Sequence, residues 1–155
     1  MITLRDEIEI AATPERIFDW FAHLRDHYLD WHPDHVDCQY LKGESMLDEG
    51  AVVYCEEHLH GELHKLKLRL TKLEPNRRID YAMMPGMAGA FAFEPRGERT
   101  AFIAYLYFGI HFPLIGPLLD RIMRGALARQ IAAFEQHMAE EGKNLKRLLE
   151  TGAHA

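Results

Sequence analysis

Polar and apolar residues alternate over most of this chain, in short runs separated by turn-forming residues. The first run is residues 2–11, and six further strand-like segments follow near residues 36–43, 50–60, 63–74, 77–84, 89–95 and 100–110. Glycine, or proline next to asparagine or glycine, stands between successive segments. The pattern predicts an antiparallel sheet of about seven strands.

Two parts of the chain have a helical period instead. Thr13 is a typical N-cap, and Pro14 and Glu15 suit the first turn, so a helix is expected from Pro14 to about Arg25. A short helical continuation is expected through HYLDWHPDH, residues 27–35. The chain ends in a long amphipathic helix at about residues 117–149, in which Gly125 is a candidate for a kink.

Size and composition indicate one globular domain over residues 1–150, followed by a flexible tail at 151–155. The chain has 155 residues, of which 48% are hydrophobic and 27% charged. Its net charge of −6 argues against a nucleic-acid partner. The composition is that of an ordinary soluble globular protein and does not define the oligomeric state.

The cysteines and the N-terminus indicate a cytoplasmic protein. Cys38 and Cys55 form neither a disulfide framework nor a CxxC metal motif, and the N-terminal segment MITLRDEIEI is too charged for a signal peptide. The uncharged stretch Ala101–Leu119 is interrupted by glycine and proline, so we expect no transmembrane helix. Its last part, HFPLIGPLL with His111, is apolar enough to contact a membrane surface or an apolar ligand.

His137 and Glu141 stand one turn apart on the expected buried stripe of the last helix. That stripe is Ile122, Ala126, Gln130, Phe134, His137, Glu141, Leu145 and Leu148. Burying an imidazole and a carboxylate together costs several kcal/mol unless a charge lies between them, and HxxxE on a helix directs both side chains to one point. The pair indicates a metal site; the alternative is a pair on the solvated margin of the stripe.

A hairpin near Gly61 adds two polar residues to a buried face. If Gly61-Glu62 forms a two-residue type II′ turn, Glu57 pairs with Leu66 and Leu59 with His64. One face is then apolar apart from Glu57 and His64, which are diagonal neighbours.

The helical segment after the first strand supplies histidines. His27 shares a face with apolar residues and is the best candidate, while His23, His32 and His35 are the alternatives. With Glu57, His137 and Glu141 it completes a ligand set that suits zinc, although manganese or iron would fit the same atoms. The alternative is a metal-free pocket in which Glu57 and His64 are hydrogen bonded.

The order of elements resembles the helix-grip fold of the START / Bet v 1 (SRPBCC) superfamily over essentially the whole chain. The matching features are IEIAATPERIFDWF, the turn EPNRRIDY and the uninterrupted C-terminal helix. The resemblance implies an α+β fold in which a curved antiparallel sheet wraps the last helix around an apolar cavity. Carriers, cyclases and hydrolases all use this fold.

A narrower resemblance is to the zinc hydrolases that cleave acyl-phloroglucinols, such as the diacetylphloroglucinol and phloretin hydrolases. Glu57, His137 and Glu141 match their ligand pattern, and His27 matches it less securely. This chain is shorter than those enzymes and lacks their additional N-terminal region.

The sequence therefore favours a zinc-dependent hydrolase of a small hydrophobic, aromatic or acyl-phenol-like substrate. His64 would act as a general base, and Tyr28, Tyr105 or Tyr107 would orient a substrate oxygen. The alternatives are a non-enzymatic carrier of a hydrophobic ligand (a lipid, polyketide or quinone), which seven methionines would suit, and a metal-free polyketide cyclase or dehydratase.

Overall fold

The structure, a computed structural model, describes residues 1–109 and 116–152. His111, most of HFPLIGPLL and the end of the predicted tail lie outside the described residues. The elements in chain order are β1 (Ile2–Ile10), α1 (Pro14–Ala22), α2 (Leu24–Trp31), β2 (His35–Lys42), β3 (Val52–Leu59), β4 (Glu62–Glu74), β5 (Arg78–Met84), β6 (Met87–Arg96), β7 (Arg99–Phe108), α3 (Gly116–Ala126) and α4 (Ala128–Thr151).

The seven strands form one curved antiparallel sheet in the order β1-β7-β6-β5-β4-β3-β2. Each strand from β2 to β7 pairs with its neighbour in sequence, and β1 closes the sheet against β7. This is the predicted helix-grip architecture, with α1 and α2 inserted after the first strand. No helix among the described residues is both long enough and apolar enough to cross a bilayer.

The start of α1 follows directly from its local sequence. The Thr13 side chain accepts a hydrogen bond from the Arg16 backbone N–H at 3.2 Å, Pro14 occupies the first turn, and Glu15 is the acidic residue of that turn. Each of these features stabilises a helix N-terminus. The helix ends at Ala22, and α2 begins two residues later.

The β3–β4 hairpin has the predicted faces but a different register. The two turn residues are His60 and Gly61, both with positive φ (56° and 78°), which is typical of a type I′ turn. Glu57 therefore pairs with His64, and the predicted pairing of Glu57 with Leu66 is wrong. The register differs by two residues, so every side chain keeps its face.

The C-terminal helical region is broken near the predicted kink. Helix α3 ends at Ala126 and α4 begins at Ala128. The predicted buried stripe is confirmed from His137 onwards, where Leu145 and Leu148 are fully or nearly fully buried. The prediction is wrong before that point: Ile122 is 59% exposed, and Ala126 and Gln130 are exposed as well.

Two contacts fix α4 over the sheet at the level of Glu141. Gly142 lies so close to β1 that a Cβ there would be 3.1 Å from Asp6 Oδ2. On the other side, the Trp31 indole N–H donates to the Glu141 backbone oxygen at 3.0 Å. Because α4 is held by both β1 and α2, His137 and Glu141 are directed into the space between helix and sheet.

Candidate functional site: a buried His–Glu cluster at one end of an apolar cavity

A cavity of about 80 Å³ lies between α4, α2 and the inner face of the sheet. Most of its wall is apolar or aromatic, and three methionines contribute to it: Met83, Met87 and Met138. For comparison, an engineered protein cavity of about 150 Å³ binds benzene. A ligand of that size would displace side chains here, and unbranched methionines adapt to such a change more easily than other apolar residues.

Four ionisable side chains meet where the cavity wall becomes polar. His35 is the first residue of β2, Glu57 lies on β3, and His137 and Glu141 lie one turn apart on α4. One ligand-type atom from each residue lies within 4.8 Å of all the others. This four-residue cluster is buried, with His35, Glu57 and His137 each less than a tenth exposed.

His35 is held with one particular nitrogen facing the cluster. Its Nδ1 lies 2.7 Å from the backbone oxygen of Tyr28, which can only accept a hydrogen bond, so Nδ1 carries the proton. In the neutral ring Nε2 then carries no proton and presents a lone pair. The Nε2 atom lies 3.0 Å from Glu141 Oε1 and 3.6 Å from Glu57 Oε2. A lone pair facing two carboxylates is unfavourable unless a proton or a cation lies between them.

His137 faces the same two carboxylates from the helix. Its Nε2 is 3.4 Å from Glu141 Oε1 and 3.7 Å from Glu57 Oε2, and it has no hydrogen-bond partner among the described residues. Burial lowers the pKa of His137, but the two carboxylates outweigh burial and raise the pKa to about 10. The buried Nε2 of His137 therefore faces two carboxylates but forms a hydrogen bond with neither of them.

The pKa of Glu141 is also set by burial and by its charged neighbours, but here the net shift is downward. Burial tends to raise the pKa of its carboxyl, but His137 and His35 outweigh burial and lower the pKa to about 2. The cluster thus contains a carboxylate that stays ionised because imidazoles surround it.

Tyr28 positions the other carboxylate. Its hydroxyl donates to Glu57 Oε2 at 3.0 Å, and its ring stacks on His35 with centroids 3.9 Å apart. Burial, and the negative charges nearby, raise the pKa of the Tyr28 phenol far above its ordinary value. Tyr28, an expected substrate-orienting residue, therefore remains a neutral hydrogen-bond donor beside the cluster.

His27, the expected fourth ligand, lies elsewhere. Its ring stacks on Trp20 with centroids 5.2 Å apart, and His27 is not a member of the cluster. The position expected for His27 is occupied by His35, one of the alternatives that the sequence left open. The signal for His35 is the pairing of β2 with β3, which places His35 directly opposite Glu57.

His64 and Tyr105, the other expected catalytic residues, are not brought to the cluster. His64 pairs with Glu57 in the sheet but lines a separate depression with Arg129 and Phe134. Tyr105 borders the cavity between Ala104 and Leu106, yet its ring stacks on Tyr107 and lies 5.4 Å from the Arg78 guanidinium. Strand alternation places Ala104 and Leu106 inward, so the rings of Tyr105 and Tyr107 point to the outer face.

A third histidine stands behind the cluster. His32, 2% exposed, accepts the Asp34 backbone N–H with Nδ1 and therefore donates from Nε2 to Glu140 at 2.7 Å. Its ring centroid is 4.3 Å from that of His137. Because both nitrogens of His32 are hydrogen bonded, it supports the position of His137 and Glu140.

Sequence reasoning missed Tyr81. This residue lies on β5, is 8% exposed and lines the cavity. The signal is the alternation Ile79, Tyr81, Met83, which places these three side chains on the inner face.

One family profile matches almost the whole chain. The family is described as "Polyketide cyclase / dehydrase and lipid transport", and its profile matches residues 1–150. No curated protein sequence matches the chain at a significant level.

Several solved structures have the same fold. A protein from Thermus thermophilus is 17% identical, with a TM-score of 0.72, covering 99% of this chain and 100% of its own. Ginseng (Panax ginseng) major latex-like protein 151 is 10% identical, with a TM-score of 0.71 and coverage of 94% and 95%. The Zhui aromatase/cyclase from a Streptomyces species is 20% identical, with a TM-score of 0.64 and coverage of 95% of both chains.

Proposed function

Because this chain belongs to the polyketide cyclase/dehydrase and lipid transport family, we propose that it binds a small apolar molecule with a carbonyl oxygen. The carbonyl group would face the four-residue cluster, where the protein would carry out acid–base chemistry of the cyclase or dehydratase type. The observation that carries the proposal is a buried His–Glu cluster at one end of an otherwise mainly apolar cavity. The description of the family supports this chemistry over hydrolysis.

The residues of the cluster have complementary roles in such chemistry. A carboxylate of Glu57 or Glu141 would take a proton from the carbon next to the carbonyl. His137 would donate a hydrogen bond to the carbonyl oxygen, on which negative charge then develops. Tyr28 would orient Glu57 throughout, because its hydroxyl is bonded to that carboxylate.

Proton exchange on acetophenone tests this proposal without knowledge of the natural substrate. We expect the protein, treated with a chelator, to speed incorporation of deuterium from D₂O into the acetophenone methyl group, followed by proton NMR. Of the two variants Glu57→Gln and Glu141→Gln, the one that removes the general base should reduce the catalysed rate by about a hundredfold, a usual contribution of such a base. Glu56→Gln is the matched control, because Glu56 is paired with Tyr54 and Lys65 instead.

The outcomes separate an enzyme from a carrier. Exchange that depends on Glu57 or Glu141 but not on Glu56 supports the proposal. Binding of acetophenone without catalysed exchange contradicts the acid–base role and favours a carrier of hydrophobic ligands.

Metal-dependent hydrolysis is the second candidate, because the arrangement of nitrogen and oxygen atoms is one that could hold a metal ion. Two imidazole nitrogens and two carboxylates face one point, and His137 Nε2 is buried without a hydrogen bond among the described residues. This donor set fits zinc, and manganese or iron would accept the same atoms. His35, Glu57, His137 and Glu141 would hold the ion, which would supply Lewis-acid polarisation of a substrate carbonyl.

Metal content of paired histidine variants tests this second candidate. Untagged protein, dialysed against zinc and then against buffer, should retain one zinc ion per chain by elemental analysis. His35→Ala should lose it, while His27→Ala should retain it, because His27 stacks on Trp20 outside the cluster. Loss of zinc from His27→Ala while His35→Ala retains it would contradict this assignment. The absence of zinc from the parent protein would contradict it as well.

A further inference from the structure

Tyr81 is a mostly buried residue whose hydroxyl makes no hydrogen bond to another described residue. Its side chain is 8% exposed and belongs to the cavity wall. Buried tyrosines ordinarily find a partner for the hydroxyl, and the Tyr81 oxygen, which protein atoms do not fully enclose, opens onto the cavity that it lines. The structure thus leaves one unused donor in an apolar space.

The ring of Tyr81 is held in a fixed direction by its neighbours. Tyr81 pairs with Gly89 across β5 and β6, and a Cβ on Gly89 would lie 2.4 Å from both the Cζ and the hydroxyl of Tyr81. The tip of the ring therefore lies directly over Gly89. Phe91, two residues further along β6, packs against the ring with centroids 5.3 Å apart.

The Tyr81 hydroxyl and the four-residue cluster border the same cavity. Tyr81, Glu57, His137 and Glu141 all line it. Burial raises the pKa of the Tyr81 phenol, and the charges of Glu141 and Glu57 raise it further, so the hydroxyl keeps its proton. Tyr28 differs, because its hydroxyl is already bonded to Glu57.

We propose that Tyr81 donates the hydrogen bond that selects an oxygen-bearing ligand and fixes its orientation in this cavity. The ligand class is a small, mainly apolar molecule with one accepting oxygen, a carbonyl or a phenolic ether, between Tyr81 and the cluster. This inference rests on the proposed function and names the part of the ligand that the cavity recognises.

A matched pair of probes tests the inference. Acetophenone and ethylbenzene have nearly the same shape, but only acetophenone has an accepting oxygen. We expect Tyr81→Phe to weaken acetophenone binding about tenfold and to leave ethylbenzene binding unchanged, because only a hydrogen bond is removed. Ligand-observed NMR titration measures both affinities, and Tyr54→Phe on the outer face is the control for a general effect of losing a phenol.

A second variant tests the geometry without removing the hydroxyl. Gly89→Ala would force the Tyr81 ring aside, because its tip lies over Gly89. It should reduce the preference for acetophenone over ethylbenzene while Tyr81 keeps its hydroxyl. A circular dichroism spectrum and a cooperative unfolding transition would verify that each variant is folded.

The outcomes distinguish the inference from the proposed function. Equal binding of acetophenone by Tyr81→Phe and the parent, or equal weakening of both probes, would overturn the role of Tyr81 while the cavity remains a ligand site. Failure of the parent protein to bind either probe would overturn the proposed function and this inference with it.

Discussion

Tyr28 is the residue that positions most of the cluster. Its backbone oxygen fixes the tautomer of His35, its ring stacks on the same imidazole, and its hydroxyl orients Glu57. A carboxylate and an imidazole are useful for chemistry only when they are held in one orientation. The three contacts of Tyr28 hold two members of the cluster, His35 and Glu57, in one orientation.

Replacement of Tyr28 by phenylalanine separates the hydroxyl from the ring. The variant keeps the stacking on His35 but leaves Glu57 without its donor, so we expect a loss of about 1–2 kcal/mol in the free energy of unfolding. Urea unfolding followed by circular dichroism measures it. Tyr54→Phe should cost less, because Tyr54 is bonded to Glu56 on the outer face; equal losses in the two variants would contradict the account.

The protonation of His137 predicts a pH dependence for the stability of the metal-free protein. Its pKa is raised from 6.5 to about 10 on folding. Its contribution is therefore fully present below pH 6.5 and is lost as the pH rises through 10. Urea unfolding of chelator-treated protein across this pH range should show the loss. His137→Gln should remove that part of the pH dependence, and an unchanged profile would contradict the assignment.

At the scale of elements, the β3–β4 hairpin determines which residues of the two strands face the cavity. Its turn consists of His60 and Gly61, both in the left-handed region. Such a conformation is most favourable for glycine, and asparagine, aspartate and histidine adopt it more readily than other residues do. The residues at both turn positions are therefore compatible with positive φ.

Two substitutions in this turn should differ in their cost to stability. Gly61→Ala should cost about 1 kcal/mol, because a Cβ is unfavourable at a φ of 78°. His60→Asn should change stability by less than about 0.5 kcal/mol, because asparagine also adopts positive φ and the hydrogen bond that is lost, from His60 Nε2 to the Arg129 backbone oxygen, is exposed. Thermal unfolding of both variants measures the difference, and destabilisation by His60→Asn greater than that by Gly61→Ala would contradict the type I′ turn.

The elements themselves could be predicted because their periods are strong. Alternation along β3 and the 3.6-residue period of α4 were sufficient to place Glu57, His137 and Glu141 in the interior. The exact hairpin register was not predictable, since moving the turn by one residue, from 61–62 to 60–61, shifts the pairing by two residues and preserves the same faces. Only tertiary pairing distinguishes them.

His35 and Tyr81 required information that periodicity does not contain. His35 follows an irregular connection, so neither a helical nor a strand period determines its direction before β2 is paired with β3. Tyr81 belongs to an alternating strand, but its importance depends on Gly89 across the sheet. Residues of this kind are recognised from contacts between elements.

At the scale of the whole molecule, α4 completes the core that the curved sheet leaves open. Leu145, fully buried, and Leu148, 4% exposed, join the core cluster that also contains Phe21 and Phe102. The same helix contributes His137 and Glu141 to the cavity. Folding of the core and assembly of the site are therefore coupled through one element.

Truncation of Leu145 tests this coupling. Leu145→Ala should cost about 2–5 kcal/mol, because it leaves a void in a close-packed core. Leu118→Ala on α3, where the side chain is 62% exposed, should change stability by less than about 0.5 kcal/mol. Denaturant unfolding of both variants measures the contrast, and similar losses would contradict the packing of α4 on the sheet.

The methionine methyl groups provide the most direct measurement of ligand binding in the cavity. Met83 and Met87 line the cavity with Met138, whereas Met84, next to Met83 in sequence, is 56% exposed. Titration of acetophenone into protein labelled with ¹³C at the methionine methyl groups should shift Met83, Met87 and Met138 and leave Met84 unchanged. Shifts confined to Met84, or no shifts at any methionine at saturating acetophenone, would contradict the proposal that this protein acts on a ligand inside the cavity.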